Sequence, residues 1–156
     1  MPRAPVSIVV TAAAVCMLSA CAGPRYSFEV EITNATPGPL AAGFVKYIPG
    51  GQRPGLEEGW TAPEDVAINA PPLTDRRWGR LIPAGRTVVL GPQKGRFPEG
   101  IRPMLRVYAG DYTIDELLAF RRDDPDRLDI HLWPGRSSYV ITMENGRLSA
   151  KRREGS

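Results

Sequence analysis

Residues able to carry out chemistry are scarce in this chain. There are two cysteines, Cys16 and Cys21, both near the N-terminus. Residues 22–156 therefore have no disulfide, no thiol nucleophile and no cysteine metal ligand. There is one histidine, His131. One imidazole without a thiolate excludes a zinc site. A G-x-S-x-G elbow and a phosphate-cradling glycine loop are both missing. The net charge of +3 is too small to argue for a nucleic-acid partner. No apolar run approaches the roughly 20 residues of a membrane-spanning helix. Lysine is also sparse, at 46, 94 and 151 only, so almost all of the 20 basic residues are arginine. Arginine suits carboxylate and phosphate recognition. Here it accompanies 16 glycines and 16 prolines and sits on no anion-binding motif, which fits a compositional bias.

What is present begins with the N-terminus. Arg3 supplies a positive start, Val6 to Leu18 is apolar apart from Ser7 and Thr11, and Leu18-Ser19-Ala20-Cys21 follows. A helix over that apolar run rises roughly 20 Å, short of the roughly 30 Å hydrocarbon core. It fits a signal-peptide h-region better than a span. Over residues 1–22 this order resembles a bacterial lipoprotein precursor, with Leu18 to Cys21 as the lipobox. The resemblance implies cleavage before Cys21, a diacylglyceryl thioether on that sulfur and an acylated, palmitate-type amino terminus. With Ala22 rather than Asp after the cysteine, it implies the outer membrane facing the periplasm rather than the inner membrane. Two alternatives stay open. Ala20-Cys21-Ala22 also fits ordinary secretory cleavage after Ala22, giving a soluble secreted or periplasmic protein, and the helix could stay uncut as an anchor.

The expected organisation is a signal peptide over 1–20, a lipidated Cys21 and tether over 21–26, one β domain over 27–152 and a disordered tail over 153–156. Ala22 to Arg25 reach at most about 14 Å, which holds the domain close to the membrane.

Within the domain, period-two alternation predicts strands over Tyr26–Asn34 and Leu40–Ile48, joined across the turn residues Asn34–Pro39. Pro49–Gly59 predicts a loop. Thr61-Ala62-Pro63-Glu64-Asp65 predicts a short helix capped by threonine and stopped by Asn69 and Pro71-Pro72. Trp78–Ile82 and Arg86–Leu90 around Pro83-Ala84-Gly85 predict a hairpin closed off by Gly91-Pro92, then a loop over Gln93–Gly100. Met104–Ala109 predicts a strand. Thr113 with Glu116 forms a capping box before Ile114, Leu117 and Leu118, which share a helical face. Asp123–Asp126 predicts a turn, and Leu128 to Trp133 an alternating strand with Asp129 and His131 on its polar face. Ser138–Glu144 and Arg147–Arg152 flank Asn145-Gly146, a strong hairpin dipeptide.

About eight short strands, one or two short helices and no βαβ repeat point to a mainly β protein. The expected fold is an antiparallel β-sandwich, Ig-like or transthyretin-like, with a small β-barrel as the alternative. No family is recognised in residues 23–156. Leu105-Arg106-Val107-Tyr108 resembles one strand of type VI secretion lipoproteins, which are also small anchored sandwiches, but four residues do not carry a family name.

Candidate site residues follow from residue type. His131 is the sole general base for a Ser-His-Asp arrangement, with Ser137, Ser138, Asp126 and Asp129 near in sequence. Asp124, Asp126 and Asp129, with Asp123, offer oxygen ligands for calcium, but lack the glycine and terminal glutamate of an EF-hand. Trp60, Trp78 and Trp133 are candidate ligand platforms, or else core residues. The basic tail Lys151-Arg152-Arg153 offers contact with anionic lipid. No catalytic residue, metal or cofactor is assigned. The expected function is a membrane-anchored envelope lipoprotein, non-catalytic, that binds another envelope protein as an accessory or assembly module. A small-ligand or cell-wall glycan module is the alternative, and a hydrolase using His131 a further one. Besides that protein, the expected partner is the membrane, through the lipid on Cys21.

Overall fold

In the computed structural model the chain is described over residues 24–48, 59–69 and 76–153. Expectations on residues 1–23, 49–58, 70–75 and 154–156 lie outside these; they include the signal peptide, most of the Pro49–Gly59 loop and the Pro71-Pro72 stop. The elements in chain order are β1 (Arg25–Asn34), β2 (Leu40–Tyr47), α1 (Pro63–Asn69), β3 (Arg80–Ile82), β4 (Thr87–Arg96), β5 (Arg102–Ala109), α2 (Ile114–Leu117), β6 (Arg127–His131), β7 (Gly135–Glu144) and β8 (Arg147–Arg152). They form two four-stranded sheets, ordered β4-β1-β7-β8 and β3-β2-β5-β6. The fold is a mainly β sandwich with two short helices and no closed barrel.

The alternation in the sequence explains the first sheet. Phe28, Val30 and Ile32 of β1 point inward and are fully buried, while their neighbours are part-exposed. They pack with Leu90, Tyr139, Ile141 and Leu148 from the same sheet and with Leu40, Ala42, Phe44, Leu105 and Val107 from the other. The second sheet is buried on both faces. Leu105 and Val107 face the sandwich, whereas Met104 and Tyr108 face Ile114, Leu117, Ala62 and Trp78 on the far side. Gly43 permits this outer layer, because a Cβ there would lie 2.8 Å from the Trp78 ring.

β1 and β2 lie in different sheets, so Asn34–Pro39 crosses between layers. An Ig-like order pairs the first two sheet-mates differently, leaving the transthyretin-like arrangement of the two expected. The pairs are antiparallel except β1 with β7, which run parallel. The sandwich is antiparallel-dominated as expected, and the single parallel pair arises because β7 enters from β6 in the other sheet, not by a hairpin from β1.

The predicted hairpin around Pro83-Ala84-Gly85 is not formed. β3 and β4 belong to opposite sheets, and the turn bonds instead to the end of β1, with Gly85 N–H donating to Asn34 O at 2.8 Å and Asn34 N–H to Arg86 O at 2.9 Å. Nor does Gly91-Pro92 end the strand. It forms a bulge inside β4, where the register against β1 shifts between Phe28 and Val30. Gly91 has φ of 99°, and a Cβ there would meet Phe28 O at 2.6 Å. The predicted loop from Gln93 is therefore strand as far as Arg96.

The capping box at Thr113 is formed, with Glu116 N–H donating to Thr113 Oγ1 and Thr113 N–H to the Glu116 carboxylate. Leu118, the C-cap of α2, is exposed rather than sharing the buried face of Ile114 and Leu117. α1 begins at Pro63, so the capping position falls on Ala62 rather than Thr61; the Asp65 carboxylate accepts from Ala62 N–H instead.

Candidate functional surfaces

Arg106 is the charged residue that the alternation places under the helices. Its neighbours on the same face, Met104 and Tyr108, are apolar or nearly so, and it is itself buried. β5–β6 register sets Arg106 opposite Asp129. The guanidinium donates to both oxygens of Asp129, at 2.8 and 3.4 Å, and to Glu64 of α1 at 3.1 Å. Arg127 adds a bond to Asp129 at 2.8 Å. Burial alone would raise the Asp129 carboxyl, but hydrogen bonds and charge from Arg106 and Arg127 more than reverse it and hold it below the usual range. Two cations and two acids close on one another and pin α1 to the sheet. Asp129 is therefore not on the solvated face expected from its strand position.

Of the aspartates read as candidate ligands, only Asp129 belongs to this cluster. Asp129 is engaged by two guanidiniums, and Asp124 turns its carboxylate to Asp126 N–H at 3.0 Å. Among the described residues no group of three or more His, Cys, Asp or Glu is gathered as a metal site. His131 is exposed at the end of β6, and no serine or carboxylate among the described residues is hydrogen-bonded to it.

The three tryptophans part company. Trp60 sits in the sandwich core, edge-on to Phe28 and Phe97 at 5.4 and 4.9 Å, with its Nε1 donating to Lys94 O. Trp78 lies in the outer layer against Tyr108 and donates to Thr61 O at 2.8 Å. Trp60 is enclosed by the core, while Trp78, though buried, lines a cavity of about 400 Å³ with Gly43, Thr61 and Val66. Trp133, in the β6–β7 connection, is 70% exposed.

Trp133 lines a groove of about 620 Å³ at one end of the sandwich, with Tyr26, Phe97, Arg102, His131 and Leu132. Strand register brings these together: the start of β1 lies beside the end of β4 and the start of β7, and β5 begins where β6 ends. The second surface is the free side of β4. This ten-residue strand ends its sheet and is paired on one side only among the described residues. Val89 on it is 43% exposed, and Leu81 of β3, across the turn at 83–86, is 46% exposed. Sequence reasoning missed this edge because it paired β4 with β3.

No family model matches the chain, and no curated protein matches it. Among solved structures, the T6SS lipoprotein TssJ1 from Pseudomonas aeruginosa aligns over 85% of this chain and 100% of its own at 12% identity, with a TM-score of 0.40, a likeness too distant to carry a residue's role across.

Proposed function

We propose that this is a lipid-anchored cell-envelope protein that acts without catalysis, as an accessory or assembly module presenting its open sheet edge to another protein. The envelope half of the reading rests on the lipobox at Leu18 to Cys21. The observation that carries the binding half is the side of β4 that has no strand partner among the described residues. A strand edge left without a neighbouring strand is a template for a partner strand. Val89, exposed on this stretch, supplies apolar contact. The bulge at Gly91-Pro92 confines the usable edge to Thr87–Leu90, because it breaks the ladder and proline has no N–H.

The test is in-cell cross-linking of the tagged full-length protein, detergent extraction and mass spectrometry of the co-purifying proteins and of the N-terminal peptide. A lipidated Cys21 with one dominant protein partner, lost in Val89→Lys, is the expected result. An N-terminus at Gly23 overturns the anchor. A lipidated Cys21 with no partner overturns the accessory role.

A further inference from the structure

The end of the sandwich opposite the β1–β2 crossover collects features that the sheet edge does not use. β1 starts there, so the chain from Cys21 enters there. From Cys21 to Tyr26 the backbone reaches at most about 18 Å. Trp133 and Tyr26 stand exposed at this end and share one groove. Around it Arg25, Arg96 and Arg102 are exposed and enter no ion pair among the described residues. Arg25 and Arg96 are direct register partners across β1 and β4, so their charges lie side by side. Like charges placed together lose stability unless a counter-charge arrives. The acid in the adjoining turn is Glu99, also exposed, while Glu29 is taken by Arg136.

We propose that this end docks on an anionic bilayer surface, with the Trp133 indole and the Tyr26 ring at headgroup depth and the three arginines against lipid phosphates. Tryptophan and tyrosine prefer that depth, where one part of the ring is wet and the other is not. Basic side chains next to them are drawn by the negative surface potential within a Debye length. The proposal rests on Cys21 being the lipidated residue, since the short tether is what brings this end to the membrane. It also leaves the β4 edge clear for a partner, because docking uses the end of the strands and pairing uses their side.

The test uses the full lipidated protein reconstituted into vesicles of phosphatidylcholine and phosphatidylglycerol, with part of the lipid brominated in its acyl chains. Trp60 and Trp78 are buried, so lipid quenching reports Trp133. The expected result is quenching by brominated lipid, protection from aqueous iodide, and loss of the lipid-quenched component in Trp133→Phe. Vesicles without phosphatidylglycerol, high salt, or the triple variant Arg25→Glu, Arg96→Glu, Arg102→Glu should reduce it. A lipid on Cys21 by mass with Trp133 still open to iodide and unquenched by lipid overturns docking and leaves the anchor standing. An N-terminal peptide without lipid overturns both.

Discussion

Asn34 is wholly buried at the end of β1, and its side-chain amide is fully used. Nδ2 donates to Gly38 O and Ile82 O, each at 2.9 Å, while Oδ1 accepts from Thr36 N–H and Thr36 Oγ1–H. One side chain thus closes the crossover turn and ties it to β3. Asn34→Ala removes these bonds and leaves the Ile82 carbonyl unpartnered by it in a buried place. It should cost about 2–4 kcal/mol in urea unfolding, a loss near the surface-mutation level of about 0.5 kcal/mol being the contrary result. Asp129 supplies a second residue-scale expectation. Its carboxyl is held below its unfolded value, so the folded state binds fewer protons there than the unfolded one. The stability it contributes is complete above about pH 4 and is lost as pH falls through the lower folded value. Asp129→Asn should be less stable at neutral pH and show a flatter acid limb in pH-dependent unfolding. Neither role was legible in advance: Asn34 reads as a turn residue and Asp129 as solvated until register supplies their partners.

At the scale of elements, local chemistry was legible where it is self-contained. The Thr113 box, the Asn145-Gly146 turn with φ of 53° and 73°, and the β1 alternation needed nothing from elsewhere in the chain. Glycine with proline is ambiguous by contrast. Gly91-Pro92 carries the same residues whether it stops a strand or bulges it, and what decides is the backbone of β1 approaching Gly91. Gly91→Ala should destabilise by about 1–3 kcal/mol, because φ of 99° is strained for alanine and its Cβ would press on Phe28 O. Gly85→Ala is the control: it also has positive φ, at 72°, but open space around it, so it should cost less by thermal unfolding.

For the whole molecule, the proposed function divides the work between an anchor and the sandwich. The proposed lipid fixes the protein at a surface, and the fold sets which end faces it and which edge is left free. Cys21→Ser should move the protein from the membrane pellet to the soluble fraction while its far-UV circular dichroism stays unchanged. A Cys21→Ser protein that still pellets with membranes would require another anchor than the lipid. Composition and period alone determined that residues 22–156 carry no thiol chemistry and that the chain is mainly β, because cysteine content is a count and alternation is set by neighbours two positions apart. Tertiary structure decided the rest. Sheet membership of β3 and β4, the parallel pairing of β7, the burial of Trp60 and Trp78, the exposure of Trp133, and the Arg106–Asp129 pair all join residues far apart along the chain. No local period encodes such pairings; they exist only once two layers pack and fix each strand's register.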